Sequence, residues 1–186
     1  MAIKKWKTLS EEDVSPDKWF PVYKHKVELA NGKIIDDFYV GDFGQCVLIV
    51  PILKTGEMVL VKQYRQAVQD TLIEFPEGRE KAGKDGKTTA CEELLEETGI
   101  EVAPSRMEKV AVFAPEPSKM IYKVHLYLAR NLDFNASQKL DPEEEIEILT
   151  FKPKDLLRKI KEGEIWSSNT VAATLQVFLM YPEIFK

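Results

Sequence analysis

Four glutamates, Glu92, Glu93, Glu96 and Glu97, crowd one predicted helix, and three of them could do chemistry together. Positions 93, 96 and 97 stand at i, i+3 and i+4, so their side chains share one helix face, where like charges repel. A charge run on a helix is ordinarily a solvated face. Three features argue for more here. The face carries no interleaved Lys or Arg to relieve the repulsion. A short strand, a tight Gly turn and a short helix fix its geometry. A further acidic run, "DPEEEIEI" at 141–148, stands at the entry to a later strand. Clustered carboxylates are stabilised by a hard divalent cation, and carboxylates with water are the ligands Mg2+ prefers.

The loop in front of the helix raises a second possibility. "GREKAGKDGKTTACEELLEETGI", residues 78–100, gathers Gly and Lys as a phosphate cradle would. A P-loop requires G-x-x-x-x-G-K-[ST], with the hydroxyl on Mg2+. Gly78 with Gly83-Lys84 has the spacing, but Asp85 stands where the hydroxyl belongs. Gly86-Lys87-Thr88 has the hydroxyl, but Lys81 replaces the first Gly. The parallel strand–helix–strand units that such a loop serves are also missing from the pattern. The segment is therefore read as a Gly/Lys surface loop.

The elements that must position these residues are mostly strands. "VYKHKVELANGKIIDDFYV" is two strand-like runs around Asn31-Gly32, a hairpin signal because both residues tolerate positive φ. "QCVLIVPIL" and "EMVLVKQY" form a second hairpin through Lys54-Thr55-Gly56, and "TLIEF" is a short strand running into the Gly/Lys loop. A helix of roughly ten residues ends at Gly99, a natural left-handed terminator. "EKVAVFA", "KVHLYLA" and "EIEILTF" are further strands. "KPKDLLRKIKEG" and "SNTVAATLQVFLMY" close the chain as helices, the second capped by its polar start and stopped before Pro182. Hairpins placed side by side, rather than strands alternating with helices, predict an α+β fold. Residues 1–40 would form a small antiparallel β subdomain and 41–186 the main domain.

Composition narrows the function classes. A chain of 186 residues suits one domain with a small appendage, and 44% hydrophobic with 31% charged residues suits a globular chain. A net charge of −5 argues against a general nucleic-acid binder, and Lys4, Lys5 and Lys7 read as a solvated tail. No apolar run approaches a membrane span, and "MAIKKWKTLS" lacks the apolar core of a signal peptide. Cys46 and Cys91 make no disulfide framework, which predicts a reducing, cytoplasmic setting. With only His25 and His125 beside them, a structural zinc site is not expected.

Residues 78–100 resemble the signature of the Nudix hydrolases: Gly, five residues, Glu, seven residues, then Arg-Glu-apolar-x-Glu-Glu-x-Gly-apolar. Gly78, Glu93, Leu94, Glu96, Glu97, Gly99 and Ile100 fall on it in register. Two positions depart from it, Lys84 in place of the first Glu and Glu92 in place of Arg. Those departures are opposite in sign, so Lys84 and Glu92 are expected to form the same pair with reversed polarity. "VLVKQYRQAVQDTLIEFPEG", "DPEEEIEI" and "EGEIWSSNTVAATL" are similar to the ADP-ribose and nucleoside-diphosphate-sugar pyrophosphatase branch. The likeness covers roughly residues 22–180 and weakens at "APEPSKMIYKVHLYLA", where acidic residues of that branch are missing.

The resemblance implies an α/β/α sandwich with a mixed central sheet. It implies Mg2+, with Mn2+ as the alternative, held by Glu93, Glu96, Glu97, the main-chain carbonyl of Glu77 and Glu144. It makes Glu143 or Glu144 the general base, with Glu97 second. Arg65 would bind a phosphate or terminal ribose, Glu74 the substrate, and Phe38 and Tyr39 a base. The implied reaction is hydrolysis of a nucleoside diphosphate sugar such as ADP-ribose by a homodimer, with no nucleic acid and no membrane involved. A nucleotide-binding relative that no longer cleaves is the competing expectation, supported by Lys84 and Glu92.

Overall fold

The computed structural model describes residues 3–81 and 83–186. The chain divides into two compact units, one formed by residues up to Gly44 with Glu116–Tyr122, the other by Gln45–Pro115 and Lys123–Lys186.

The first unit is an antiparallel meander of β1 (Lys7–Asp13), β2 (Val22–Glu28) and the first half of β3 (Ile34–Leu53). Its β2–β3 turn is built as expected. Gly32 takes a φ of +83°, and the Leu29 amide closes the hairpin on the Lys33 carbonyl at 2.8 Å. β1 is a correction to the sequence reading: Lys7 opens a strand that pairs with β2 through a bulge between Thr8 and Ser10. All seven of its residues are exposed, so it shows no apolar alternation by which a sequence would betray it.

The second unit holds the core. From Cys46 to Leu53, β3 is buried without interruption, as a strand covered on both faces must be. Val47 and Ile49 pack with Ala90 and Leu94 of α1 (Gly86–Thr98), while Leu48 and Val50 point to the other face and are equally buried. β3 turns into β4 (Met58–Arg65) at Gly56, and β4 pairs antiparallel with both β5 (Asp70–Glu74) and β9 (Glu147–Phe151). The short β6 (Glu77–Arg79) pairs with β3, and β7 (Glu108–Phe113) with β8 (Met120–Leu132). Helices α2 (Pro153–Lys161) and α3 (Ser168–Met180) follow, with Leu156, Ala173 and Val177 fully buried. The α+β class expected from the sequence is the one adopted. Among the described residues no helix is long and apolar enough to cross a membrane.

Candidate active site

The glutamate helix is fixed at both ends. Asp85 caps it, accepting from the amides of Lys87 and Thr88 at 2.9 and 3.0 Å. At the other end Gly99, at φ +70°, returns its amide to the Leu95 carbonyl, and a Cβ there would strike the Ala136 backbone. The segment 135–139 then takes up carbonyls that the helix end leaves over. The Lys139 amide bonds to Glu96, the Gln138 amide group to Glu97 and the Ala136 amide to Gly99, at 2.9, 2.7 and 3.0 Å. This fastening aims the following acidic loop at the glutamate face. Inside that loop the Glu144 amide bonds to Asp141, and the Glu144 carboxylate accepts from the Asp141 amide at 3.1 Å.

Helical spacing sorts the glutamates. Glu97 lies three residues past the buried Leu94 and next to the buried Thr98, so it is drawn inward and is only 5% exposed. Its Oε2 has no hydrogen-bond partner among the described residues. Burial, reinforced by the carboxylates of Glu93, Glu77 and Glu144, pushes Glu97 well above the usual carboxylate range, and Arg65 offsets only part of this. Burial raises Glu93 too, with Lys81 pulling it back and Glu96 and Glu144 pushing it further up. Gly78 makes room for this arrangement. A Cβ at that position would overlap the Glu93 carboxylate, so a side chain there would have to push that carboxylate aside. The Cys46 thiol reaches the Gly78 carbonyl at 2.8 Å and helps pin the turn.

Charge relief comes from the loop rather than from the helix. The Lys84 ammonium lies 2.6 and 2.8 Å from the two oxygens of Glu92, and that hydrogen bond holds Glu92 below its ordinary value. Lys81 was singled out in the sequence only as a failed P-loop position. Its ammonium sits 3.0 Å from Glu96 and 3.3 Å from Glu93. Burial works against its charge, but the hydrogen bond to Glu96 and the field of Glu93 more than compensate, and Lys81 is held above the usual lysine range.

A second group stands on β4, β5 and β6. The Arg65 Nε donates to Glu74 at 2.7 Å, and Arg65 Nη2 lies 3.5 Å from Glu77. Burial disfavours the Arg65 charge, but Glu74, Glu77 and Glu97 outweigh it. Arg65 is thus a positioned guanidinium, not a loose surface one. The N-terminus of α3 holds the acids opposite. Ser167 donates to Glu74 at 3.0 Å, Asn169 to Glu77 at 2.8 Å, and the Phe75 amide to the Thr170 hydroxyl at 3.2 Å. The sequence reading expected the polar start of this helix to cap it. Ser167 makes no capping bond, because its hydroxyl is spent on Glu74. Burial and Glu74 raise Glu77, while Asn169 and Arg65 lower it.

Of the residues singled out in the sequence, Glu77, Glu93, Glu97, Glu144 and Arg65 therefore share one electrostatic neighbourhood, with Glu74 bonded to Arg65 and Glu96 joined to Glu93 through Lys81. Glu143 lies beside Glu144 on the wall of a cavity of about 190 Å³, with Gln63 and Tyr64 opposite. Phe38 and Tyr39 belong to the first unit. There Phe38 packs edge-on to Trp6 and under the Lys119 ammonium, at 5.8 and 3.8 Å, and Tyr39 is half exposed. Gln138, Ser167 and Asn169 carry no role in the sequence reading, and Lys81 carries none beyond the failed P-loop. The polar "SSN" at the start of α3 was the available signal, and it was absorbed by the capping explanation.

Among the described residues no three His, Cys, Asp or Glu side chains already converge as a closed cage. The donor set nevertheless suits a hard divalent cation. It is all oxygen, one buried carboxylate oxygen lacks a partner, and an ammonium already stands against two of the glutamates.

Residues 42–173 match the family described as NUDIX domain, and residues 6–40 match the nucleoside diphosphate sugar hydrolase N-terminal domain. The chain is 29% identical to an ADP-ribose pyrophosphatase of Bacillus subtilis (strain 168), over 90% of this chain and 89% of that protein. It is 32% identical, over the same shares, to a methanol dehydrogenase activator of Bacillus methanolicus. A solved structure described as an ADP compounds hydrolase superposes with a TM-score of 0.84, over 98% of this chain and 97% of its own, at 19% identity, a likeness of fold.

Proposed function

We propose that this chain, which belongs to the NUDIX family and is a pyrophosphatase, acts on ADP-ribose or a related nucleoside diphosphate sugar. The observation that carries this reading is the buried Glu97, with one oxygen unpartnered among the described residues, beside Glu93, whose carboxylate lies against Gly78. Glu93, Glu96, Glu97, the Glu77 carbonyl and Glu144 would hold Mg2+, or Mn2+, which when bound neutralises the diphosphate and acidifies a water. The chain's own groups do the rest. Glu144 or its neighbour Glu143 accepts the proton of the attacking water, with Glu97 as the alternative base. The new oxygen–phosphorus bond forms as the anhydride bond breaks, giving nucleoside monophosphate and sugar phosphate. Arg65, held in place by Glu74 and Glu77, presents its remaining N–H groups to a phosphate or terminal ribose. Phe38 and Tyr39 of the N-terminal unit would bind the base, and that unit would join two chains as a homodimer.

A second reading has one observation in its favour. Lys81 and Lys84 place two ammonium groups against the acidic helix, which would suit a nucleotide-binding protein that no longer cleaves. Monophosphate release from ADP-ribose, GDP-mannose and UDP-glucose with Mg2+ separates the two. Turnover by the parent, reduced by about 10² or more in Glu97→Gln, is the expected result. A parent that binds one of these compounds without releasing monophosphate would establish the second reading instead.

A further inference from the structure

The acidic face of α1 already has a cation on it. The Lys81 ammonium lies 3.0 and 3.1 Å from the two oxygens of Glu96, 3.3 Å from Glu93 and 3.6 Å from Glu92. One side chain thus bridges three carboxylates of the helix. Glu97 is left out of that bridge, and its buried Oε2 remains without a partner among the described residues, so the ammonium satisfies the face only in part.

The backbone under Lys81 is anchored. The Glu80 amide bonds to the Gln45 carbonyl at 2.8 Å, and the Lys84 amide to the Lys81 carbonyl at 3.1 Å. The side chain above it is not anchored in the same way, being 37% exposed on a four-carbon stem. It can leave the carboxylates without unfolding anything. Lys84 differs, since it contacts Glu92 at the outer edge of the face.

We propose that Lys81 is a built-in counter-cation: it neutralises Glu93 and Glu96 until a divalent cation displaces it, and so sets the concentration at which the site fills. The proposal rests on the metal-dependent reading above. An ammonium and a divalent cation repel one another and compete for the same carboxylate oxygens, so filling the site requires breaking the contacts of Lys81. The exclusion is mutual, since coupling between two binding events is reciprocal. A side chain tethered beside its carboxylates competes at high effective concentration, which makes it a stronger rival than free salt.

Calorimetric titration with Mn2+ on the full chain, without substrate, tests this. The variants are Lys81→Met, Lys81→Arg and Lys84→Met. Lys81→Met is expected to bind Mn2+ about fivefold or more tightly than the parent, within the usual range of site–site coupling. Lys81→Arg, which keeps a cation on the face, and Lys84→Met, which removes the same charge from the same loop, are expected to stay near the parent. The Tm gained on adding Mn2+ should also be larger in Lys81→Met. Unchanged or weaker binding in Lys81→Met would overturn the proposal, as would an equal gain in Lys84→Met, which would mark a general effect of loop charge. If parent and variants all fail to bind Mn2+, the metal-dependent reading falls, and this proposal with it.

Discussion

At the scale of single residues, the site sets charge against burial. The Lys84–Glu92 pair occupies the two positions where the family signature has charges of the opposite sign, and its geometry is that of a direct ion pair, 2.6 Å at its closest. Both partners are partly exposed, so the contact is screened and worth a few tenths to ~1 kcal/mol. A double-mutant cycle by chemical denaturation should show it. Lys84→Glu and Glu92→Arg should each destabilise, and the double variant should recover the parent's stability to within about 0.5 kcal/mol. Strict additivity of the two single changes would show that the pair does not couple. Gly78 matters through contact rather than conformation, since a side chain there would displace the Glu93 carboxylate.

At the scale of elements, the site is a helix braced by pieces remote in sequence. α1 supplies the glutamates, the 135–139 segment ties down its last carbonyls, and the first turn of α3 fixes the acids of β5 and β6. The bond from Asn169 to Glu77 is the most exacting of these, because Glu77 is largely buried and its carboxyl stands beside Glu74. Removing the donor leaves a desolvated acceptor, at a cost of roughly 1–3 kcal/mol. Asn169→Ala should therefore lower the free energy of unfolding by that amount, seen as a lower denaturation midpoint, and raise the Mg2+ concentration needed for half-maximal turnover. A midpoint equal to the parent's would show that Asn169 does not hold Glu77. Much of this scaffold was legible in the chain. The Asn31-Gly32 and Gly56 hairpins and the Gly99 terminator follow from backbone chemistry that is local in sequence, and the glutamate register follows from helical period alone. What stayed hidden is what depends on contacts between distant segments. An entirely exposed strand such as β1 has no apolar pattern, Ser167 resembles a cap until its hydroxyl is seen on Glu74, and Lys81 resembles loop filler until the loop folds it onto Glu96.

At the scale of the whole molecule, the cluster makes stability depend on pH in a predictable direction. Burial leads the causes that raise Glu97, Glu93 and Glu77 above the ordinary 4.5, so the folded chain holds protons there that the unfolded chain releases. Stability from these groups is present below that ordinary value and is lost as pH climbs from it through their raised values. Glu92, lowered by Lys84, works the other way, and its contribution disappears as pH falls below 4.5. Without divalent cation, Tm should therefore decline as pH rises above about 5. Glu97→Gln, which cannot ionise, should flatten that decline and raise Tm at pH 8 while losing turnover. A parent whose Tm is level across the window would mean that the cluster is solvated rather than buried. The N-terminal unit makes the other whole-molecule prediction. Trp19 is 71% exposed, and Trp6, Phe20, Ile34 and Tyr39 are each about half exposed, more large apolar side chains than a small β meander usually shows to water. Beside them β1 exposes all seven of its residues, one of the features that invite a second chain. Light scattering on the full chain should give twice the monomer mass, and Trp19→Asp with Phe20→Asp should shift it toward the monomer while leaving the core of the second unit folded. A parent that runs as a monomer at micromolar concentration would require the dimer role proposed for residues 1–40 to be abandoned.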